Sequence, residues 1–512
     1  MNQICRIFFC AAIFVLAAAV SAETCHQIDL GKGGSWNWID SASVRNENGF
    51  DVLAIDVPAS LRPQSVRHAV SMPFDVAAYR GRSLRLTVEC RAENVSVPRH
   101  AWNGVKFLLH YRKDGRDVWR SPSGLRGTFG WKKLEISFLV PEGATGGKLM
   151  LGLEESSGRV EFRNLQTTVK DISEIFPPQK LPNNYRAQYS EQVKSIPPLR
   201  GAMSPAALRE GDLEELRSWG AALIRWQLVR NWGQNDTDRD VAEYLRWVDA
   251  KLIELEQVLD RAEKLGLRVI VDLHSPPGGR SPDLGMLDSP EHFDAFLKTW
   301  RKIASRLKDK PALWAYDLVN EPMQSRPCRI DYLTAQKLAA EEIRRIDPAT
   351  PIIVESNDWC SPQAFRYLSP LPLDNIIYQL HMYWPGGYTH QGVNNNWGVA
   401  GKDGMASYPD SACNRQALIE HLRPVRDFQQ RHGARIYVGE FSAVRWAPGA
   451  ERYLEDCISL FEEYGWDWTY HAFREWNGWS VEHTENPQDN EPAQTDTARK
   501  KVLLKYFKRN QR

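Results

Sequence analysis

WAYDLVNEP, Trp314 to Pro322, is an apolar run of strand length that ends in Asn320-Glu321-Pro322. Proline has no N–H to give to a ladder, so the strand is expected to stop there and open into a loop. Asn320 and Glu321 then fall at the C-terminal tip of a buried strand, where barrels and open α/β sheets carry their chemistry. A second run, RIYVGEFSA from Arg435 to Ala443, places Glu440 at an equivalent tip.

Working outward from these two, the chain beyond Leu199 alternates strand with helix. The expected strands are Leu199–Met203, Ala221–Leu228, Leu267–His274, Leu313–Asn320, Pro351–Glu355, Ile376–Tyr383, Arg435–Glu440 and Trp468–Arg474. Between the second and third, Leu245, Val248, Leu252, Leu255, Leu259 and Ala262 step by three and four residues, one apolar face of a helix. Gly220, Gly266 and Gly465 close helices that lead straight into strands, and Ser289-Pro290 opens another. Eight such units over residues 199–512 predict an α/β fold, a (β/α)8 TIM barrel; a doubly wound sheet is the alternative. The 512-residue length suits two domains. Residues 23–171 hold short apolar runs between Gly, Pro, Asp and Ser clusters, with no helical period, which predicts an all-β sandwich of jelly-roll type. Residues 172–198, with Pro177-Pro178, Pro182 and Pro197-Pro198, read as a linker.

Composition narrows the function classes. A hydrophobic content of 42% argues against disorder, and a formal net charge of +1 gives no pull toward nucleic acid or an anionic membrane. Residues 1–22 carry Arg6, an apolar stretch from Ile7 to Val20 and a small-residue site at Val20-Ser21-Ala22, the pattern of a cleavable export signal. A secreted or periplasmic protein with no membrane span is therefore expected, and a monomer. In that compartment cysteines can pair, and Cys328 with Cys360 is the expected pair because both follow adjacent strands. No CxxC and no His-x-His occurs, so neither a metal nor a cofactor is expected. Tryptophan is frequent, at 19 residues; large cores use it, and so do surfaces that stack on sugar rings.

Polar residues recur at the expected strand ends: Arg225, His274, Asn320 with Glu321, His381 with Tyr383, Glu440, and Trp476 just past the last strand. Barrel packing needs apolar layers, so this series points to chemistry. Two glutamates at two strand tips are the minimum for cleaving a glycosidic bond by double displacement. LVNEP at Glu321, VDLH at His274, QLHMYW at His381 and VGEFS at Glu440 resemble, in that order, glycoside hydrolase family 5, the retaining cellulase-like barrels. The resemblance spans roughly Leu199 to Asn510. It implies Glu321 as general acid/base and Glu440 as nucleophile. It further implies that Asn320 holds the sugar 2-hydroxyl and that Arg225 and Tyr383 support the nucleophile. His274 and His381 would line the subsite of the cleaved sugar, with Trp476 as its floor and Trp479 as the rival floor. The implied substrate is an oligo- or polysaccharide, β-1,4-glucan first. An exo-acting β-glucosidase or β-1,3-glucanase, or a β-mannanase, is the alternative on the same scaffold. A metal-dependent barrel hydrolase and a sugar-binding barrel without catalysis are the rivals from other classes. The N-terminal sandwich resembles carbohydrate-binding modules in general pattern, with Trp36, Trp38, Trp102, Trp119 and Trp131 as a possible platform. The loop from Trp384 to Asp410, with Tyr388, His390 and Trp397, and the loop after His274 are expected to narrow the cleft.

Overall fold

The computed structural model describes residues 25–511 except 33, 62–66, 101, 114–115, 123, 235–236, 281–282 and 394–405. The expected export signal and Trp397 lie outside the described residues. Among those described, no helix is long and apolar enough to cross a membrane. The chain divides into two compact units, Met1–Ile172 and Ser173–Arg512.

The N-terminal unit is built of antiparallel strands in two sheets. One runs in the order Ala42–Glu47, Phe50–Val57, Gly158–Asp171, Arg82–Val95, Gly127–Leu139, with Cys25–Gln27 also on Gly158–Asp171. The other runs Arg67–Pro73, Ala144–Glu154, Gly104–Lys113, Arg116–Arg120. Alternate residues of both sheets, among them Leu84, Leu86, Phe107, Leu109, Leu151 and Phe162, bury into one core. Trp36 belongs to that core and Trp38 packs on it, whereas Trp102 and Trp119 stay half-exposed. Trp131 is held between the guanidinium groups of Arg91 and Arg163, 4.6 and 4.2 Å from its ring.

The second unit is a closed barrel of eight parallel strands: Arg200–Met203, Leu223–Gln227, Arg268–Asp272, Leu313–Asp317, Ile352–Glu355, Ile376–Met382, Arg435–Phe441 and Asp467–Tyr470. Several strands end sooner than their apolar runs suggested. The fourth stops at Asp317, so Asn320 and Glu321 stand in the loop just beyond it, and the eighth stops at Tyr470. The long helix after the second strand covers Val241–Leu265 and ends on Gly266 at φ +67°, a left-handed closure that glycine takes without strain.

Two expectations need correction. The proline-rich segment 173–198 is no free linker but part of the barrel unit. Its short helix Glu191–Ser195 drops Val193 into a cluster with Leu223, Ile270, Trp314, Ile353, Ile377 and Tyr437, near the N-terminal ends of the strands. Tyr189 Oη donates to the carbonyl of Ile376, and Arg435 donates to the carbonyls of Val193 and Ile196 at 3.0 and 2.9 Å. The prolines mark irregular backbone; the aromatic and apolar residues between them dock it. Nor do Cys328 and Cys360 pair, since both are free thiols. Cys360 is buried with its Sγ donating to the Gln379 carbonyl at 3.2 Å, and Cys328 sits half-buried beside Arg326.

Candidate active site

Barrel register builds the site. Asp272 of the third strand pairs with Asp317 of the fourth, and Glu355 of the fifth with Gln379 of the sixth. An irregularity between Leu380 and His381 shifts the next register so that His381 stands opposite Glu440. These polar side chains converge on Arg225, which is completely buried. Its Nε donates to Asp317 at 2.9 Å, Nη1 to Glu440 at 2.7 Å, and Nη2 to Asn320 and Glu355 at 3.0 and 2.9 Å; Asp272 lies 3.2 Å from Nη2. One guanidinium thus organises four carboxylates, a role its rigid fork suits. Asp272, Asp317 and Glu355 could be read as metal ligands, their oxygens within 4.8 Å of one another. The cation they face is Arg225.

Glu440 is almost fully buried. Its Oε2 also accepts from Tyr383 Oη at 3.0 Å, and His381 Nδ1 lies 3.7 Å from the same oxygen. Burial disfavours its charge, but His381, His471 and Arg225 outweigh burial and hold the carboxyl well below the usual carboxylate range. Burial and the Glu440 charge together push the Tyr383 phenol up, so it stays a donor. Glu321 has different surroundings. Its carboxylate accepts from His381 Nδ1 at 3.0 Å, and its backbone N–H donates to Glu355 at 2.7 Å. Its φ of +45° is a left-handed conformation, which costs an L-residue on the order of 1–3 kcal/mol. Arg280 donates to the carbonyls of both Asn320 and Glu321. An oxygen of Glu321, an oxygen of Glu440 and a ring nitrogen of His381 lie within 4.8 Å of one another.

Of the remaining anticipated residues, His274 joins this group and Trp476 stands outside it. His274 Nδ1 hydrogen-bonds Asp272 at 2.7 Å, and its Nε2 accepts from the Asn320 amide at 3.2 Å. Asn320 is fixed by Arg225 on one side and His274 on the other. Trp479 packs 6.0 Å from the Tyr383 ring, whereas Trp476 is one ring farther out, edge-on to Trp479 and Trp446 and 42% exposed. Of the loop residues, His390 packs against Tyr383 and Trp479, and Tyr388 is buried with Tyr408 and Tyr453.

Sequence reasoning missed the floor of the site: Asp272, Asp317, Glu355 and Gln379. Their signal was a polar residue inside an otherwise apolar strand, in VIVD, WAYD, IIVE and IIYQLH. It also missed His471, buried against both Tyr383 and Trp479 with Nε2 3.1 Å from Glu475. Burial opposes the His471 charge, and Glu475 and Glu440 together raise its pKa nonetheless. Arg280 also lies over the rings of Trp232 and Trp359, 4.9 and 5.4 Å away, and both indoles are nearly half exposed. Trp359 is the middle of three successive left-handed residues, Asp358 to Cys360.

Comparison with known proteins agrees with this geometry. Residues 195–477 match the family model described as Cellulase (glycosyl hydrolase family 5). Endoglucanase C of Acetivibrio thermocellus is 25% identical over 294 residues, covering 51% of this chain and 84% of its own. Cellodextrinase A of Ruminococcus flavefaciens is 23% identical over 241 residues, covering 46% of this chain and 69% of its own. Among solved structures, Thermotoga maritima Cel5A in complex with cellobiose is similar at 23% identity, with a TM-score of 0.47 over 60% of this chain and 96% of its own. The family match covers more than half of the chain, which therefore belongs to glycosyl hydrolase family 5 and is a glycoside hydrolase.

Proposed function

We propose that the protein is a retaining β-glycosidase acting on β-1,4-glucan, with Glu440 as nucleophile and Glu321 as general acid/base. The observation that carries this is the pair of carboxylates, with oxygens within 4.8 Å of each other and unlike surroundings. Retaining enzymes hold their carboxyl groups about 5–5.5 Å apart, whereas inverting ones leave about 6.5–9.5 Å for a water. Glu440, charge-stabilised by Arg225 and Tyr383, attacks the anomeric carbon as Glu321 gives its proton to the departing oxygen. Glu321 then takes a proton from the water that releases the sugar. His381, between the two, donates to Glu321 and fixes its rotamer. The relatives named endoglucanase and cellodextrinase support a β-glucan substrate. The half-exposed Trp102 and Trp119 support a glycan-binding role for the N-terminal unit, and the apolar start of the chain supports export.

The test is hydrolysis of a panel of β-glycans and aryl β-glycosides, with products followed by NMR. Release of the β anomer first from β-1,4-glucan is expected; the α anomer first would overturn the mechanism, and preference for mannan or β-1,3-glucan would overturn the substrate.

A further inference from the structure

Glu355 is linked to both proposed catalytic residues, to Glu321 through its backbone and to Glu440 through a shared Arg225. It is fully buried at the end of the fifth barrel strand. Its Oε2 accepts the backbone N–H of Glu321 at 2.7 Å. Its Oε1 accepts from Arg225 at 2.9 Å and from the Gln379 amide, with His381 Nε2 3.9 Å away. Its own backbone is pinned in turn: its N–H donates to Gln336 Oε1 at 2.9 Å, and its carbonyl accepts from Gln336 Nε2 at 3.0 Å. The carboxylate is therefore anchored at its base and saturated by donors at its tip.

What it anchors is the unusual point of the site. Glu321 holds a left-handed φ of +45° just before Pro322. A non-glycine residue keeps such a backbone only when its surroundings over-determine it. Here three bonds do so: Glu355 on the N–H of Glu321, and Arg280 on the carbonyls of Asn320 and Glu321. Arg280 acts from the loop after the third strand, while Glu355 acts from the end of the fifth strand.

We infer that Glu355 is a positioning residue that fixes the backbone of Glu321, and so aims the acid/base carboxyl at the departing oxygen. This rests on the assignment of Glu321 proposed above. Two effects of Glu355 have to be separated, because it also holds Arg225, which pairs with Glu440. Loss of aim at Glu321 harms substrates whose leaving group needs a proton. Loss of support for Glu440 harms all substrates alike.

The experiment compares kcat/KM of the full chain, Glu355→Gln and Glu355→Ala on two β-glucosides, one with a 4-methoxyphenoxide and one with a 2,4-dinitrophenoxide leaving group. A 2-deoxy-2-fluoro glycoside carrying a good leaving group counts competent sites, so that misfolded protein is not read as a slow enzyme. Per competent site, the loss on the methoxyphenyl substrate is expected to exceed that on the dinitrophenyl substrate at least tenfold in Glu355→Ala. Glu355→Gln, which keeps an acceptor oxygen for the Glu321 N–H, recovers part of that difference. Equal losses on the two substrates would overturn the inference, leaving Glu355 as support for Arg225 alone. If Glu355→Ala does not fold, the same comparison on Glu355→Gln decides, with at least a threefold difference expected and equal losses refuting. Failure of the unaltered protein to hydrolyse either glycoside would instead sink the proposed function, and this inference with it.

Discussion

Replacing Arg225 by lysine keeps a positive charge but removes the fork. The guanidinium donates to four oxygens, on Asp317, Glu440, Asn320 and Glu355, and pairs with the Asp272 carboxylate at 3.2 Å. An ammonium has three donors and one position, so at least one of these four buried oxygen acceptors loses its bond. Breaking a buried ion pair from one side costs about 3–5 kcal/mol. Large domains lose roughly 2–4 °C in Tm per kcal/mol, so the barrel should melt on the order of 10 °C lower. Glu440 loses a charged hydrogen bond worth about 1.5–3 kcal/mol, which lowers kcat/KM roughly tenfold to a hundredfold. The deficit should depend on pH, and the sign is fixed by Asp317. Burial, reinforced by Asp272 and opposed by Arg225, pushes its carboxyl up to about 6. A carboxyl raised in the native state binds its proton more tightly there than in the unfolded chain. Its contribution to stability is therefore greatest below about pH 4, the unfolded value, and is lost as pH rises through about 6. Protonated carboxyls no longer need the missing donors, so the gap in Tm between Arg225→Lys and the unaltered protein should narrow from pH 8 to pH 5. Scanning calorimetry across that range tests it. A gap that is constant with pH, or a Tm change under 2 °C, would refute the account of Arg225 as the organiser of four carboxylates.

Further outcomes follow from the same geometry. Glu321→Ala should keep glycosylation by a 2,4-dinitrophenyl glycoside, with azide accelerating its second step, whereas Glu440→Ala should lose both steps; pre-steady-state bursts and product NMR distinguish them. Trp479→Ala should lower kcat/KM at least tenfold more than Trp476→Ala on a short aryl glycoside, because its ring is the one packed on Tyr383; the reverse order would restore Trp476 as the floor. In the N-terminal unit, Arg45, Arg159 and Arg91 outweigh burial and hold Glu161 down to about 2. A lowered carboxyl stabilises above its unfolded value of about 4.5, and that stability fades as pH falls toward 2, so Glu161→Gln should flatten acid unfolding below pH 4 as followed by circular dichroism. Cys328→Ser should change the Tm equally with and without reductant, since Cys328 and Cys360 are free thiols.

The barrel was legible because each strand–helix unit carried its own punctuation, as at Gly266 and at Ser289-Pro290. The rim of the site was legible because Asn320, Glu321 and Glu440 sit where apolar runs end. Its floor was not. Asp317 and Glu355 are single acids inside or closing apolar strands, and nothing local says that one arginine from the second strand gathers them. That knowledge resides in the inter-strand register, which periodicity does not encode. Composition misled at 172–198, since proline content reports backbone irregularity and says nothing of what Tyr189 and Val193 pack against. The expected cysteine pair failed for a related reason. Loops that follow adjacent strands are neighbours, but the left-handed turn through Cys360 turns its thiol inward to the Gln379 carbonyl.

The plug at the barrel's base sets where this gene can be cut. A fragment beginning at Leu199, the first residue of the apparent catalytic repeat, would leave Trp314, Ile377 and Tyr437 facing water. It would also strip three of the carbonyls that hold Arg435, those of Val193, Ile196 and Pro197. Such a fragment invites association through an open apolar end. A start near residue 173 carries the stopper with the vessel. Anyone grafting this catalytic unit onto another module has to treat residues 173–198 as cargo, however much their prolines make them look like tether.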